Sequence, residues 1–174
     1  MKSLVQIVKH KNYDFEKVRF YTLKFEGDKQ NQLDQFFSKY EKDYEESTQY
    51  IQWWLAKIGE TRGAKPRYFR KSDNVSYLPP PIDSIKIFHT EVESNKMNLR
   101  LYSIVLSEEV VILVNGGIKE SQKLQDSPKC WKQYLFTSNI ASQISQQSKL
   151  GNWKLNGKQF IMKKTFSLTY DKAD

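Results

Sequence analysis

The chain has 174 residues, 28 Lys and Arg against 20 Asp and Glu, and a formal charge of +8. Apolar residues make up 39% and aromatics 14%, which suits one domain with a sizeable core and excludes a disordered chain. One cysteine excludes a disulfide within the chain and a cysteine-based zinc or iron–sulfur cage, and the basic balance points to an anionic partner.

The longest apolar run, Val110 to Val114, is strand-sized, far short of the roughly 20 residues of a membrane helix. Met1 to Asn12 alternates apolar residues with Lys and His and offers no signal-peptide core. The expectation is a cytoplasmic protein with no membrane partner. Charge is uneven along the chain: net +3 over residues 1–30, −2 over 31–62 and +7 over 63–174.

Val18 to Phe25 is rich in β-branched and aromatic residues and ends at Gly27-Asp28, which predicts a strand. Leu33, Phe36, Phe37, Tyr40 and Tyr44 recur at three- and four-residue spacing, one apolar face of a helix. Ser47 or Thr48 is the expected N-cap of a second helix with Ile51, Trp54, Leu55 and Ile58 on its apolar face, stopped by Gly59 and Gly63. Together they make an αα-hairpin that needs a surface to cover. Gly63 to Pro81 reads as a loop, with Pro79 to Pro81 a stiff connector.

Three strands follow, at Ser84–Glu93, Leu99–Leu106 and Glu109–Asn115, close enough for antiparallel hairpins. Val110 to Val114 is apolar on both faces and reads as a central strand ended by Gly116-Gly117. Trp131, Leu135, Ile140 and Ile144 predict a third helix over 131–147. Asn156-Gly157 marks a hairpin between Trp153–Leu155 and a strand in Gln159–Leu168. The sum is a single α+β domain over residues 1–174, its core at about 18–147, with a β extension at 151–174.

Phosphate-loop and dinucleotide glycine patterns are missing; Gly116-Gly117 reads as a turn or β-bulge. His10 and His89 are too few for a metal centre unless carboxylates dominate it, and no cofactor is expected. Cys130 reads as a small buried hydrophobe, not a nucleophile. Three basic and polar sets stand out. Lys65-Pro-Arg67-Tyr68-Phe69-Arg70-Lys71 interleaves cations that neutralise phosphates with rings that stack on unpaired bases. Its plainer reading is a solvated loop with Tyr68 and Phe69 tucked onto the core. Arg100 and Tyr102 share one strand face with Ile104 and Leu106, either bordering a groove or with Arg100 paired to Glu91 or Glu93. Lys119, Ser121 and Lys123 lie just past the central strand, at a strand end where ligand sites and plain solvent are both common.

Leu99-Arg-Leu-Tyr-Ser-Ile-Val-Leu106, Glu109 to Val114 and Asn115-Gly-Gly-Ile-Lys-Glu-Ser-Gln-Lys123 resemble the C-terminal signature of the RelE/ParE toxin superfamily, closest to its HigB-like, phage-derived branch. The upstream strand and helix hairpin, and the basic loop from Gly59 to Arg70, occupy the matching places. The resemblance spans about residues 18–123, and 99–123 carries its specificity. It implies a RelE-like fold and the toxin of a type II toxin–antitoxin pair: a metal-free mRNA endoribonuclease acting on the ribosome, held by a cognate antitoxin. It further implies Arg100, Lys119 and Lys123 as catalytic phosphate handlers, with Arg67, Arg70 and Ser121 on RNA; the basic and aromatic pattern itself adds Lys65, Tyr68, Lys71 and Tyr102 to the RNA-binding set. The chain is longer than such toxins, and no tyrosine follows Lys119 closely enough to complete an acid/base pair. A ParE-like gyrase inhibitor and a non-catalytic RNA- or protein-binding module on the same fold are the alternatives.

Overall fold

Two runs near the N-terminus, Lys2–Asp14 (β1) and Arg19–Phe25 (β2), pair antiparallel, with Val5 opposite Phe25 and Lys9 opposite Tyr21. The computed structural model describes residues 1–80, 98–120 and 123–172. After β2 come helices Gln32–Tyr40 (α1) and Glu45–Lys57 (α2), a hairpin of Arg70–Ser72 (β3) and Val75–Leu78 (β4), and strands Leu99–Val105 (β5) and Val110–Ile118 (β6). A long helix, Pro128–Lys149 (α3), precedes three short strands, Trp153–Asn156 (β7), Gln159–Met162 (β8) and Leu168–Asp171 (β9). Seven strands form one sheet in the order β3-β4-β5-β6-β2-β1-β9, and β7 pairs with β8 apart from it. Every neighbouring pair is antiparallel except β2 with β6, which run parallel.

The sheet is covered on both faces. Leu33, Phe36 and Tyr40 of α1 with Ile51, Trp54 and Leu55 of α2 pack on Phe20, Leu101, Val111 and Leu113. On the other face Phe136, Ile140 and Ile144 of α3, and Phe160 of β8, pack on Leu23, Ile104, Val110, Ile112 and Val114. β6 feeds both cores from alternate residues, which is why its sequence is apolar without a break. Each such side chain contributes about 1.5–3 kcal/mol when fully buried, and a one-residue slip would exchange the two sets, so the register is strongly fixed.

The expected α+β class, helix hairpin, central strand and C-terminal helix with a β tail are observed, with local corrections. β1 is a 13-residue strand where the sequence reading placed no element. Its inward residues Val5 and Ile7 stand among Leu4 and Val8, apolar side chains on the other face, so the alternation is blurred. α1 is capped by Asn31, whose Oδ1 accepts from the Asp34 amide at 2.8 Å. Its stripe stops at Tyr40, and Tyr44 is exposed. α2 starts at Glu45, ahead of Ser47 and Thr48; the Thr48 hydroxyl turns back and donates to the Glu45 carbonyl, so neither is a cap. Glu45 and Glu46 instead place negative charge at the helix start.

The expected loop from Gly63 holds a short helical turn, Pro66–Tyr68, and then the β3–β4 hairpin, reversed at Asp73 with φ 55°. Pro79 and Pro80 follow β4 directly; Pro81, His89 and the expected strand Ser84–Glu93 lie outside the described residues. Gly116 and Gly117 do not end β6, which runs on to Ile118; the glycines pair regularly with Leu101 and Arg100, and the bulge lies just before them, opposite Tyr102. Helix α3 is longer than predicted, and Leu135 on its supposed apolar face is exposed. The tail strand divides: Gln159–Met162 closes the Asn156-Gly157 hairpin, while Leu168–Asp171 joins the main sheet beside β1.

Candidate functional site

The regular alternation of β5 faces Leu99 and Leu101 to the α1–α2 layer and Arg100, Tyr102 and Ile104 to α3, while the bulge in β6 shifts its later residues so that Gly117 lies opposite Arg100. Tyr77 of β4 lies opposite Tyr102, and Arg70 of β3 lies opposite Tyr77. Arg70, Tyr77 and Tyr102 therefore form a row across three strands on one face, with Arg100 next along β5. The Tyr77 and Tyr102 rings meet edge-on at 5.8 Å, and Tyr102 meets Tyr134 of α3 at 6.2 Å. Trp131 stacks on Tyr134 at 5.4 Å and extends the aromatic wall.

Two glycines make this close approach possible. A Cβ at Gly116 would collide with the carbonyl oxygen of Arg100, and one at Gly117 would come within 3.2 Å of the Cys130 amide nitrogen. The first turn of α3 thus settles against β6, with Cys130 fully buried next to Tyr102. Ser127, at the helix start, accepts from the Glu120 amide at 3.0 Å and ties the exit of β6 to α3. The helix expected from residue 131 begins at Pro128, which places Cys130 in its first turn.

Charge concentrates here. Arg100 is 8% exposed, and its Nη1 donates to the Leu99 carbonyl at 3.3 Å. Burial, followed by the positive charge of Arg70, lowers its pKa. Arg70 is half-buried at the sheet edge, where its charge also reaches the Tyr50 hydroxyl on the opposite face. Its Nε is buried and has no hydrogen-bond partner among the described residues. Burial pushes the Tyr102 hydroxyl far above its ordinary range, so it is a proton donor and not a base at neutral pH. Burial also raises the Cys130 thiol, against the hydrogen bond to Tyr102 and the charges of Arg100 and Lys119.

Of the residues expected to act, the structure brings Arg100, Lys119, Arg70 and Tyr102 together. Lys119 is half-buried just past β6, its amide donating to the Asn98 carbonyl at 2.8 Å. Lys123 is exposed ahead of a short turn at Leu124–Asp126, and Ser121 lies outside the described residues. Lys65, Arg67 and Lys71 remain surface cations, with Arg67 Nη2 donating to the Tyr68 hydroxyl at 2.8 Å. Tyr68 and Tyr102 are corrections: Tyr68 is fully buried against Trp54 and Tyr102 is 1% exposed, so neither ring is open to a base, and Phe69 is core as well. Whether Arg100 pairs with Glu91 or Glu93 concerns residues outside those described. Tyr77 was missed because the β3–β4 hairpin was not read; Trp131 and Tyr134 lie on a helix that was expected, but nothing local in the sequence sets its first turns beside Tyr102.

Among the described residues no three His, Cys, Asp or Glu side chains converge to hold a metal ion, and no helix is long and apolar enough to cross a membrane. No protein-family model, curated protein or solved structure matches the chain.

Proposed function

We propose that the chain is the toxin of a type II toxin–antitoxin pair, a ribosome-dependent mRNA endoribonuclease. The observation that carries this reading is Arg100 on a tyrosine-lined sheet face, with Arg70 toward the sheet edge on one side and Lys119 past the end of β6 on the other. Cations set along a partly desolvated sheet face suit a phosphodiester, whose negative charge they hold and neutralise. The order β2, α1, α2 and then the β4–β6 meander also supports the RelE-like assignment.

In the proposed reaction the ribose 2′-hydroxyl attacks the adjacent phosphorus and gives its proton to solvent water, the bond from phosphorus to the 5′-oxygen breaks, and that oxygen takes a proton from water. The products are a 2′,3′-cyclic phosphate and a free 5′-hydroxyl. Arg70 and Arg100 hold the phosphate and stabilise the added negative charge of the transition state, with Lys119 contributing at longer range. Tyr102, kept protonated by burial, orients the site.

A second reading is favoured by one observation. Tyr102 is 1% exposed and Cys130 fully buried, so the titratable groups beside Arg100 are closed to solvent. That arrangement suits a non-catalytic RNA-binding module. Expression in cells, followed by translation arrest and mapping of transcript 5′ ends, separates the readings. The nuclease gives new 5′-hydroxyl ends inside coding regions that vanish in Arg70→Ala and Arg100→Ala. Intact transcripts overturn it; accumulated DNA breaks would indicate gyrase instead.

A further inference from the structure

The outer edge of β1 is covered along part of its length. β9 pairs with Lys2 to Val5 and goes no further, with Val5 opposite Leu168. The Glu26 amide donates to the Leu4 carbonyl at 3.0 Å, so even-numbered residues of this stretch point their backbone groups at β2 and odd-numbered ones point outward. Past Val5, Ile7 and Lys9 therefore offer amides and carbonyls at the sheet edge, with no backbone partner among the described residues. Natural proteins usually bury or disfigure such an edge, because it templates pairing with another strand.

Beside this edge runs a groove of about 610 Å³, walled by Leu4 to Val8 and by the segment from Met162 to Leu168. A second groove continues from Ile7 and Met162 along Lys9 and Ile161. The apolar side chains left exposed include Leu4 at 44%, Met162 at 44% and Ile161 at 36%, all on these walls. Lys9, Lys163 and Lys164 rim the grooves, and no carboxylate lines either one.

We propose that this edge binds an extended, acidic peptide segment of a partner protein by strand addition to β1. Backbone bonds to Ile7 and Lys9 set its register. Apolar side chains at alternate positions lie on Leu4, Ile161 and Met162, and carboxylates between them meet Lys163 and Lys164. The chemistry favours a peptide over a nucleic acid. Single-stranded RNA calls for exposed rings, whereas Phe160 is buried and stacked on Trp153, and Phe166 packs edge-on against Phe160. The site is separate from Arg70 and Arg100, so it stands or falls independently of the nuclease reading.

The test uses the full chain and a fluorescein-labelled ten-residue peptide alternating Glu with Val. Saturable binding is expected, with slowed amide exchange at Ile7 and Lys9. Lys9→Pro, which removes an outward donor, and Lys163→Glu with Lys164→Glu are each expected to weaken it at least tenfold. Far-UV circular dichroism should match the parent chain in both variants. No binding overturns the proposal. So does equal binding of the same peptide N-methylated at alternate residues, or of its Lys-for-Glu version. A ten-nucleotide oligouridylate that binds in its place, and is lost in the Lys163/Lys164 variant, assigns the groove to RNA and also overturns it.

Discussion

Substituting Gly116 by Ala tests how the fold holds Arg100 in place. The new methyl would overlap the Arg100 carbonyl, and both partners are backbone in a central ladder, so neither can turn aside. Relief requires β5 to move off β6 between Leu99↔Ile118 and Leu101↔Gly116. Overpacking costs about 1–3 kcal/mol, and two weakened ladder bonds cost about 1 kcal/mol each. Replacing glycine in a strand returns roughly 0.5–1 kcal/mol. The net expectation is a loss of about 3 kcal/mol, or a fall in Tm of roughly 6–12 °C for a chain of this length. Gly117→Ala is the control: its methyl meets the Cys130 amide nitrogen at 3.2 Å and sulfur at 3.4 Å, contacts that α3 can relieve by a few tenths of an ångström. It should stay within about 1 kcal/mol of the parent chain. Urea titrations followed by near-UV circular dichroism measure both variants. A Gly116→Ala chain as stable as the parent, or less affected than Gly117→Ala, refutes the bulged register that places Arg100.

The tyrosines Tyr13, Tyr40, Tyr50 and Tyr102 and the thiol of Cys130 all have folded pKa values raised chiefly by burial. Their unfolded forms lose protons first, from about pH 8.5 for cysteine and about pH 10 for tyrosine, so stability should be constant below that window and fall as pH rises through it. Unfolding midpoints measured from pH 7 to 11 check the sign; a midpoint that rises above pH 9 contradicts it. The Tyr21 hydroxyl donates to the Lys158 carbonyl and accepts from the buried Phe160 amide, both at 3.0 Å, pinning the β7–β8 hairpin to the sheet. Tyr21→Phe should cost about 1–3 kcal/mol by orphaning that amide and speed its hydrogen exchange, whereas unchanged exchange would show that the hairpin is held otherwise.

Long-period patterns were legible. The three- and four-residue spacing from Leu33 to Tyr40, the unbroken Val110–Val114 run and the Asn156-Gly157 turn each dictate an element by short-range physics, and each element formed. Short strands without a turn signal were not legible. Arg70–Ser72 and Val75–Leu78 carry three and four residues, too few for periodicity to outweigh the flanking prolines, and they exist because β5 supplies a neighbour. The same gap hid half of the candidate site. Arg100 and Tyr102 were visible because strand alternation puts them on one face. Their grouping with Arg70 and Tyr77 depends on cross-strand register, which no local pattern in the sequence encodes. Tyr68 followed the plainer of its two readings: a ring amid cations looks like a stacking platform, yet Trp54 claims it for the core.

The salt dependence of RNA binding tests the central claim most directly. With a ten-nucleotide single-stranded RNA, each phosphate neutralised contributes about 0.7 to the slope of log affinity against log salt. If Arg70 holds a phosphate, Arg70→Ala should weaken binding and reduce that slope by about 0.7, while Lys154→Ala, an exposed cation on β7, should leave it unchanged. An Arg70→Ala chain with the affinity and slope of the parent would contradict the assignment of this sheet face to RNA.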